Sequence, residues 1–413
     1  MESIDTVIIG AGHAGLAMSN LLCAEGRANV VLEAGKVAEQ WRNGRWDSFT
    51  LLTPNWAISL PNYRYDGGDP QGFMRREEIV SLLERYARSF TAPVREGVLV
   101  LALEAHDGTG TYRLRTSDGD FEAGNIVIAT GPFQTPRVPA WAAELPRSIA
   151  QLHSSAYRNP AVLPPGAVLV VGSGASGQQI AEDLLRAGRK VYICVGRNAN
   201  VPRRYRGHDF LWWQEHGGFY EKTADDIPLA KRRGGVSNAL TGYGGGHDIS
   251  PRHLHAQGAT LLGRAMGIRD GKVQLGRGLK ESLAEGDRAY DAFVTWVELR
   301  VDQFEGAFTQ AEPAPTLPYP PEPPADLDLE VANVTAVVCA TGFRPDYDRW
   351  VRLPVLDGDG YPVHERGATA CPGVYILGRE WLHRARSPFI RGAEEDARHI
   401  AKLMGAGQAG RTR

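Results

Sequence analysis

The sequence predicts an α/β protein built from two Rossmann-like dinucleotide-binding domains, one inserted into the other. Three observations carry the prediction. Residues 7–35, VIIGAGHAGLAMSNLLCAEGRANVVLEAG, read as a strand, a tight glycine turn, a helix and a second strand. Residues 170–197, VVGSGASGQQIAEDLLRAGRKVYICVGR, repeat that order. NIVIATG (125–131) and AVVCATGFRPD (336–346) form a second matched pair, each a strand running into Ala-Thr-Gly, suited to return the chain beneath a bound nucleotide.

Taken along the chain, residues 6–9, TVII, are continuous and β-branched, as a strand buried on both faces should be. Gly10 permits the tight turn, Gly12 lets backbone approach a pyrophosphate, and Gly15 lets the helix pack on the sheet. The helix N-terminus offers free N–H groups and the positive end of its dipole. Glu33 closes the next strand, where a carboxylate accepts hydrogen bonds from ribose hydroxyls, so this site suits FAD or NAD. Residues 99–131 read as an antiparallel meander turning at Asp107-Gly108 and Asp118-Gly119. Gly172, Gly174 and Gly177 repeat the first turn, but the following strand ends on Gly196-Arg197 with no acid. A carboxylate there would repel a 2′-phosphate and a guanidinium would grip it, so the second site suits NADP. Residues 203–330 exceed what a plain nucleotide-binding half needs. They hold an aromatic and cationic stretch (RRYRGHDFLWWQEHGGFYEK), a glycine-rich one (TGYGGGHDI), helical spacing over 279–308, and a proline-rich connector at 313–324. This elaborated insert is either a substrate cover or a structural helical addition. The expected boundaries are 1–157 and 336–413 for the first domain and 158–335 for the second.

The 413 residues carry a formal charge of −2, which gives no reason to expect nucleic acid as a partner. No apolar run reaches the roughly 20 residues that span a bilayer, and the N-terminus lacks a signal-type segment, so a cytoplasmic protein is expected. Cys23, Cys194, Cys339 and Cys371 lie far apart with no CxxC, which argues against a zinc site and a dithiol redox pair. His247, Asp248, His253 and His255 follow no recognised ligand spacing, and no metal is expected. GSGASG is a phosphate turn and not a nucleophile elbow.

GAGHAG, QWRNGRWDSFTLLTPN, QLHSSAYRNP, VVGSGASG, ATGFRPD and GVYILG together resemble the class B flavoprotein monooxygenases over nearly the whole chain. RWDSFTLLTPNW, PRRYRG and WLHRARSPFIRGAEEDARHIA are similar to a bacterial subgroup of flavin-dependent oxidoreductases often encoded beside nitrilases. The resemblance implies FAD in the first site and NADPH in the second. His153 and Tyr157 match the family's signature, whereas Arg147 and Ile149 stand where it has Phe and Gly. By position His153 marks the crossing between domains, either orienting cofactors or capping local backbone. Asn55 stands where related enzymes carry an asparagine near the flavin; its other reading is a turn residue after Pro54. Trp41 is expected over the FAD pyrophosphate or in the core. Val98, Gly131 and Gly378 are expected beside FAD, with Arg379 where the family often has Asp. Arg203 and Arg204 either join Arg197 around the 2′-phosphate or belong to a solvated basic loop. The final helix, beginning near Gly392, is expected to aim its N-terminus at the flavin.

The function these features imply is an FAD-dependent, NADPH-reduced monooxygenase. It would insert one atom of molecular oxygen into a small organic substrate through a flavin hydroperoxide. The alternatives are a flavoprotein reductase passing electrons to a quinone or a protein, and a flavin-binding protein without turnover.

Overall fold

The computed structural model describes residues 1–413 apart from 107, 235–237, 312, 314–315 and 412–413, together with the side chains of 230, 231, 234 and 406–411. The turn residue Asp107 and part of the proline-rich connector therefore lie outside the described residues.

Two sheets organise the chain. In the first, Glu2–Ile9 lies parallel between Asn29–Glu33 and Gly119–Ile128, and Val94–Glu96 extends the Glu33 side. Its last four residues, Thr6 to Ile9, are buried because neighbouring strands and helices cover both faces. The ten-residue strand Gly119–Ile128 serves two purposes. Its first half pairs antiparallel with Thr111–Thr116, which continues the meander to Val100–His106; its last residues pair parallel with Val374–Ile376. Gly119 takes φ +86° at the predicted turn. The return strand Val374–Ile376 is followed by the final helix, Gly392–Arg411.

The second sheet has five parallel strands in the order Ala150–His153, Val334–Cys339, Ala167–Val171, Val191–Cys194 and Thr260–Leu262. This pairing moves the expected boundaries. The strand at 150–153 already belongs to the second sheet, so that unit begins before 158. The strand Val334–Cys339 lies within it, between Ala150–His153 and Ala167–Val171, so the unit extends at least to Cys339 and does not end at 335. An Ala-Thr-Gly strand must run beneath its own nucleotide turn, and Ala340 does so beneath Gly172.

The segment 203–330 is also less foreign than its composition suggests. Thr260–Leu262 is a core strand, and Ala265–Arg269, Lys272–Leu275 and Asp326–Asp328 form a three-stranded antiparallel sheet. The true elaborations are the stretch around helix Phe210–His216 and the 20-residue helix Leu279–Glu298. They share an aromatic core in which Trp213 is fully buried against Phe304 and Phe308, while Phe210 packs on Phe293. The elaboration is fastened to the return segment: Ala224 N–H donates to His383 O at 2.7 Å and Ala385 N–H to Lys222 O at 3.0 Å. Ion pairs of Arg384 and Arg386 with Glu221, and of Arg391 with Glu215, reinforce the junction.

Candidate active site

Each glycine of the two turns meets a different surrounding, and the two sets match. A Cβ on Gly10 would lie 2.7 Å from Ala129 O, and one on Gly172 would lie 2.5 Å from Ala340 O. A Cβ on Gly15 would lie 1.9 Å from Gly10 O, and one on Gly177 the same 1.9 Å from Gly172 O. These four glycines therefore fit backbone to backbone. Gly12 and Gly174 have nothing within 4 Å of that position, and both are N-caps of helices, His13–Ala24 and Ala175–Arg186. Their open faces, beside unpaired helix N–H groups, are the cradles a pyrophosphate needs.

Both cradles open on one cavity of about 890 Å³, lined by Gly10, Gly12, Glu33, Trp41, Val98, Gly131 and Gly378 on one side and by Gly174, Ala175 and Ser176 on the other. Gly15, Gly172 and Gly177 stand behind the lining. The N-caps of both nucleotide helices, Gly12 and Gly174, thus open on the same space. Glu33 is fixed in place: its Oε2 accepts from Ala11 N–H at 2.8 Å and its Oε1 from Gly35 N–H at 2.9 Å. Burial raises its pKa, and those two N–H donors oppose the rise. Val98 is held to the same strand by its N–H donating to Glu33 O at 2.9 Å. Gly131 and Gly378 take φ of +69° and +74°, conformations that glycine adopts freely. Pro388 and Phe389, just before the final helix, also reach the cavity.

His153 lies behind the wall that Ser154 and Ser155 form. Its Nδ1 accepts from Ser155 N–H at 3.2 Å and lies 2.9 Å from Ser155 Oγ, so Nε2 carries the proton and donates to Gly342 O at 2.9 Å. Burial lowers its pKa, against the pull of that carbonyl. With both nitrogens engaged, the imidazole ties the domain crossing to the second Ala-Thr-Gly turn. Tyr157, fully buried, acts alongside: its hydroxyl donates to Asp183 Oδ2 at 2.7 Å, while Asp183 Oδ1 accepts from Ser48 Oγ at 2.7 Å and Arg186 Nη2 at 2.9 Å. First domain, crossing and nucleotide helix thus meet on one carboxylate.

Three expected residues are placed differently. Asn55 is buried, but its side chain points away from the cavity lining; Nδ2 donates to Asp69 O at 2.9 Å and Oδ1 has no partner. Thr53, two residues earlier, faces the cavity instead. Arg203 is 1 % exposed and forks onto Asp209 at 2.6 to 2.8 Å, over the Phe73 ring, so it offers nothing to a phosphate. Arg204 is exposed but donates to Gly245 O and Gly246 O, at 2.7 and 2.9 Å. Arg197 is exposed, three residues beyond the end of the strand Val191–Cys194 and outside the cavity lining. His247, part of the discounted metal pattern, bonds Glu182 at 2.5 Å and joins the glycine-rich loop to the second nucleotide helix.

Sequence reasoning missed Arg45, His13 and Glu380, all of which line the cavity. Burial lowers the His13 pKa to about 4, which keeps it neutral. Burial raises that of Glu380, against the neighbouring charge of Arg379. NGRW and GRE carry no periodicity, so nothing in one sequence marks these side chains as facing inward.

Two dinucleotide cradles opening on one cavity define a flavoprotein oxidoreductase of the kind that uses FAD and NADP(H). Residues 7–206 match the pyridine nucleotide-disulphide oxidoreductase family model. A CzcO-like oxidoreductase of Geobacillus kaustophilus is 32% identical over 405 residues, covering 96% of this chain and 97% of the relative. The chain belongs to this CzcO-like oxidoreductase family. Indole-3-pyruvate monooxygenase YUCCA1 of Oryza sativa is 31% identical over 204 residues, 49% of this chain and 50% of the relative. The flavin-containing monooxygenase from Stenotrophomonas maltophilia superposes with a TM-score of 0.65 at 21% identity, covering 98% of this chain and 99% of that one, which shows the shared fold. Among the described residues no helix is long and apolar enough to cross a membrane.

Proposed function

We propose that this oxidoreductase is an NADPH-reduced, FAD-dependent monooxygenase acting on a small organic molecule with molecular oxygen, in the cytoplasm. The observation that supports this reading best is the single cavity onto which both cradles open, so that hydride donor and acceptor share one enclosed space. FAD, when bound, supplies the redox chemistry: it accepts hydride from NADPH and passes electrons to oxygen.

The chain's own residues hold, orient and exclude. Gly10, Gly12, Glu33, Trp41, Val98, Gly131 and Gly378 hold the flavin nucleotide; Gly174 and Arg197 hold NADPH, and Gly172 and Gly177 shape the turn behind them. His153 is a positioning residue, because its one N–H is committed to Gly342 O. Asn55 acts from behind the wall, fastening its turn to the 69–72 loop. Trp41, Trp46, Phe49, Phe133, Phe343 and Phe389 give the cavity an aromatic wall that keeps water from the reacting centre. No cysteine lines the cavity, which disfavours thiol relay and disulfide reduction.

The test is stoichiometric. With its substrate, or a panel of small amines, sulfides and ketones, the holoprotein should convert NADPH and ¹⁸O₂ into labelled product. NADPH oxidation that yields only hydrogen peroxide or a reduced quinone across the panel would favour the reductase reading.

A further inference from the structure

A cofactor carrying two phosphates brings about two negative charges into this cavity, and a helix dipole offsets only about half of one. The helix that begins at His13 has no basic side chain in its first turn to supply the rest; the imidazole there is neutral. The cavity is also lined by four carboxylates, those of Glu33, Glu39, Asp346 and Glu380. Its permanent cations are Arg45 and Arg349. Arg349 lies 3.6 Å from Asp346. Arg45 has no carboxylate within 4 Å among the described residues, and nothing offsets the burial that lowers its pKa to about 10.

The Arg45 guanidinium is nonetheless held in place. It lies 5.4 Å from the Trp41 ring, 5.6 Å from Phe49 and 4.7 Å from Phe133. Nη1 donates to Gly44 O at 2.9 Å, while its own carbonyl accepts from Arg76 at 3.2 Å and Arg158 at 3.5 Å. None of its remaining donors is an enclosed, unpartnered atom, and the residue lines the cavity. Trp41 follows the Glu33 strand, and Phe133 follows the Ala-Thr-Gly strand that meets Gly10. The two loops flanking the first turn thus both pack on this one cation. Phe133 in turn packs on Phe343 at 5.2 Å, beside the second Ala-Thr-Gly turn, so Arg45 stands where the two nucleotides face each other.

The geometry points to Arg45 as the pyrophosphate-binding cation of the site, taking a diphosphate bridge on its open fork of N–H donors. The assignment rests on the FAD and NADPH reading above, and either dinucleotide carries this chemistry. Cation–π stacking on three rings keeps the guanidinium charged and oriented before the anion arrives.

Two readouts, neither requiring oxygen turnover, test it. The holoprotein is equilibrated with FAD and riboflavin together, and the bound flavins are quantified after extraction; NADP⁺ affinity is read from perturbation of the flavin spectrum. Arg45→Gln should lower the preference for FAD over riboflavin about 10- to 100-fold, the scale of a lost charge-assisted contact, and Arg45→Lys should lower it less. An unchanged preference with NADP⁺ binding weakened by the same factor would assign the fork to the reductant's pyrophosphate. Neither changing, or FAD and riboflavin weakening in equal measure, overturns the assignment and leaves Arg45 a packing residue. A holoprotein that forms only hydrogen peroxide would defeat the oxygenase reading and leave this one standing.

Discussion

The contrast between Gly12 and Gly15 gives the sharpest test of how the first cradle works. Gly12 takes φ −79°, ordinary for alanine, and a methyl group there meets nothing within 4 Å. Gly12→Ala should therefore change the melting temperature of the flavin-free protein by no more than about 1 °C, the N-cap preference being worth under about 1 kcal/mol. The methyl does occupy the space the pyrophosphate needs, so FAD retention through gel filtration should fall at least about tenfold. Gly15→Ala differs in kind. Its Cβ would sit 1.9 Å from Gly10 O, and both partners are backbone, so helix and strand must separate by more than about 1 Å. Overpacking of this sort costs about 3 kcal/mol, or roughly 3–4 °C for a chain of 413 residues, in the flavin-free protein. The assay is thermal unfolding with and without FAD, beside flavin content. Full flavin content in Gly12→Ala, or a Gly15→Ala protein that melts with wild type, would refute the division of labour between open and closed glycines.

The second cradle should behave likewise, with Gly174→Ala weakening NADPH and Gly177→Ala weakening the fold, separable by NADPH titration and melting. Arg197→Ala should raise KM for NADPH about 10- to 100-fold and leave NADH nearly unchanged; equal losses would remove the 2′-phosphate role. Asp209→Ala strands the buried Arg203 guanidinium and should cost about 3–5 kcal/mol in urea unfolding, whereas a phosphate-binding Arg203 would show in NADPH affinity instead. The hydrogen bond from Glu182 raises the His247 pKa, so the tie between loop and helix is fully present below the unfolded value near 6.5 and is lost as pH rises through the raised value. Limited proteolysis of the 241–247 loop should accelerate over that alkaline window, and His247→Gln should abolish the dependence.

The nucleotide cradles were legible because their constraints are local. Three glycines at fixed spacing, a β-branched strand before them and one charged residue at the next strand's end are dictated by backbone sterics and by charge, both written within about 30 residues. The Ala-Thr-Gly strands and the meander were legible for the same reason. The domain boundaries were less so, since membership of a sheet depends on which strand lies alongside, and 150–153 and 334–339 pair across nearly 190 residues.

Side-chain direction lay further out of reach. RRYRG reads as a basic loop, yet Asp209 and Phe73 draw Arg203 inward while Arg204 stays outside. LTPN pointed at Asn55, but the turn presents Thr53 to the cavity. Arg45 reads as one more surface cation until Trp41 and Phe49 from its own stretch and Phe133 from the first Ala-Thr-Gly loop close around it. The sequence by itself determined two nucleotide-binding units, because the short-range sterics of a glycine turn between strand and helix suffice for that. Only the tertiary structure decided that the two cradles share a cavity and which side chains face it, because burial and charge pairing there are set by residues far apart in the chain.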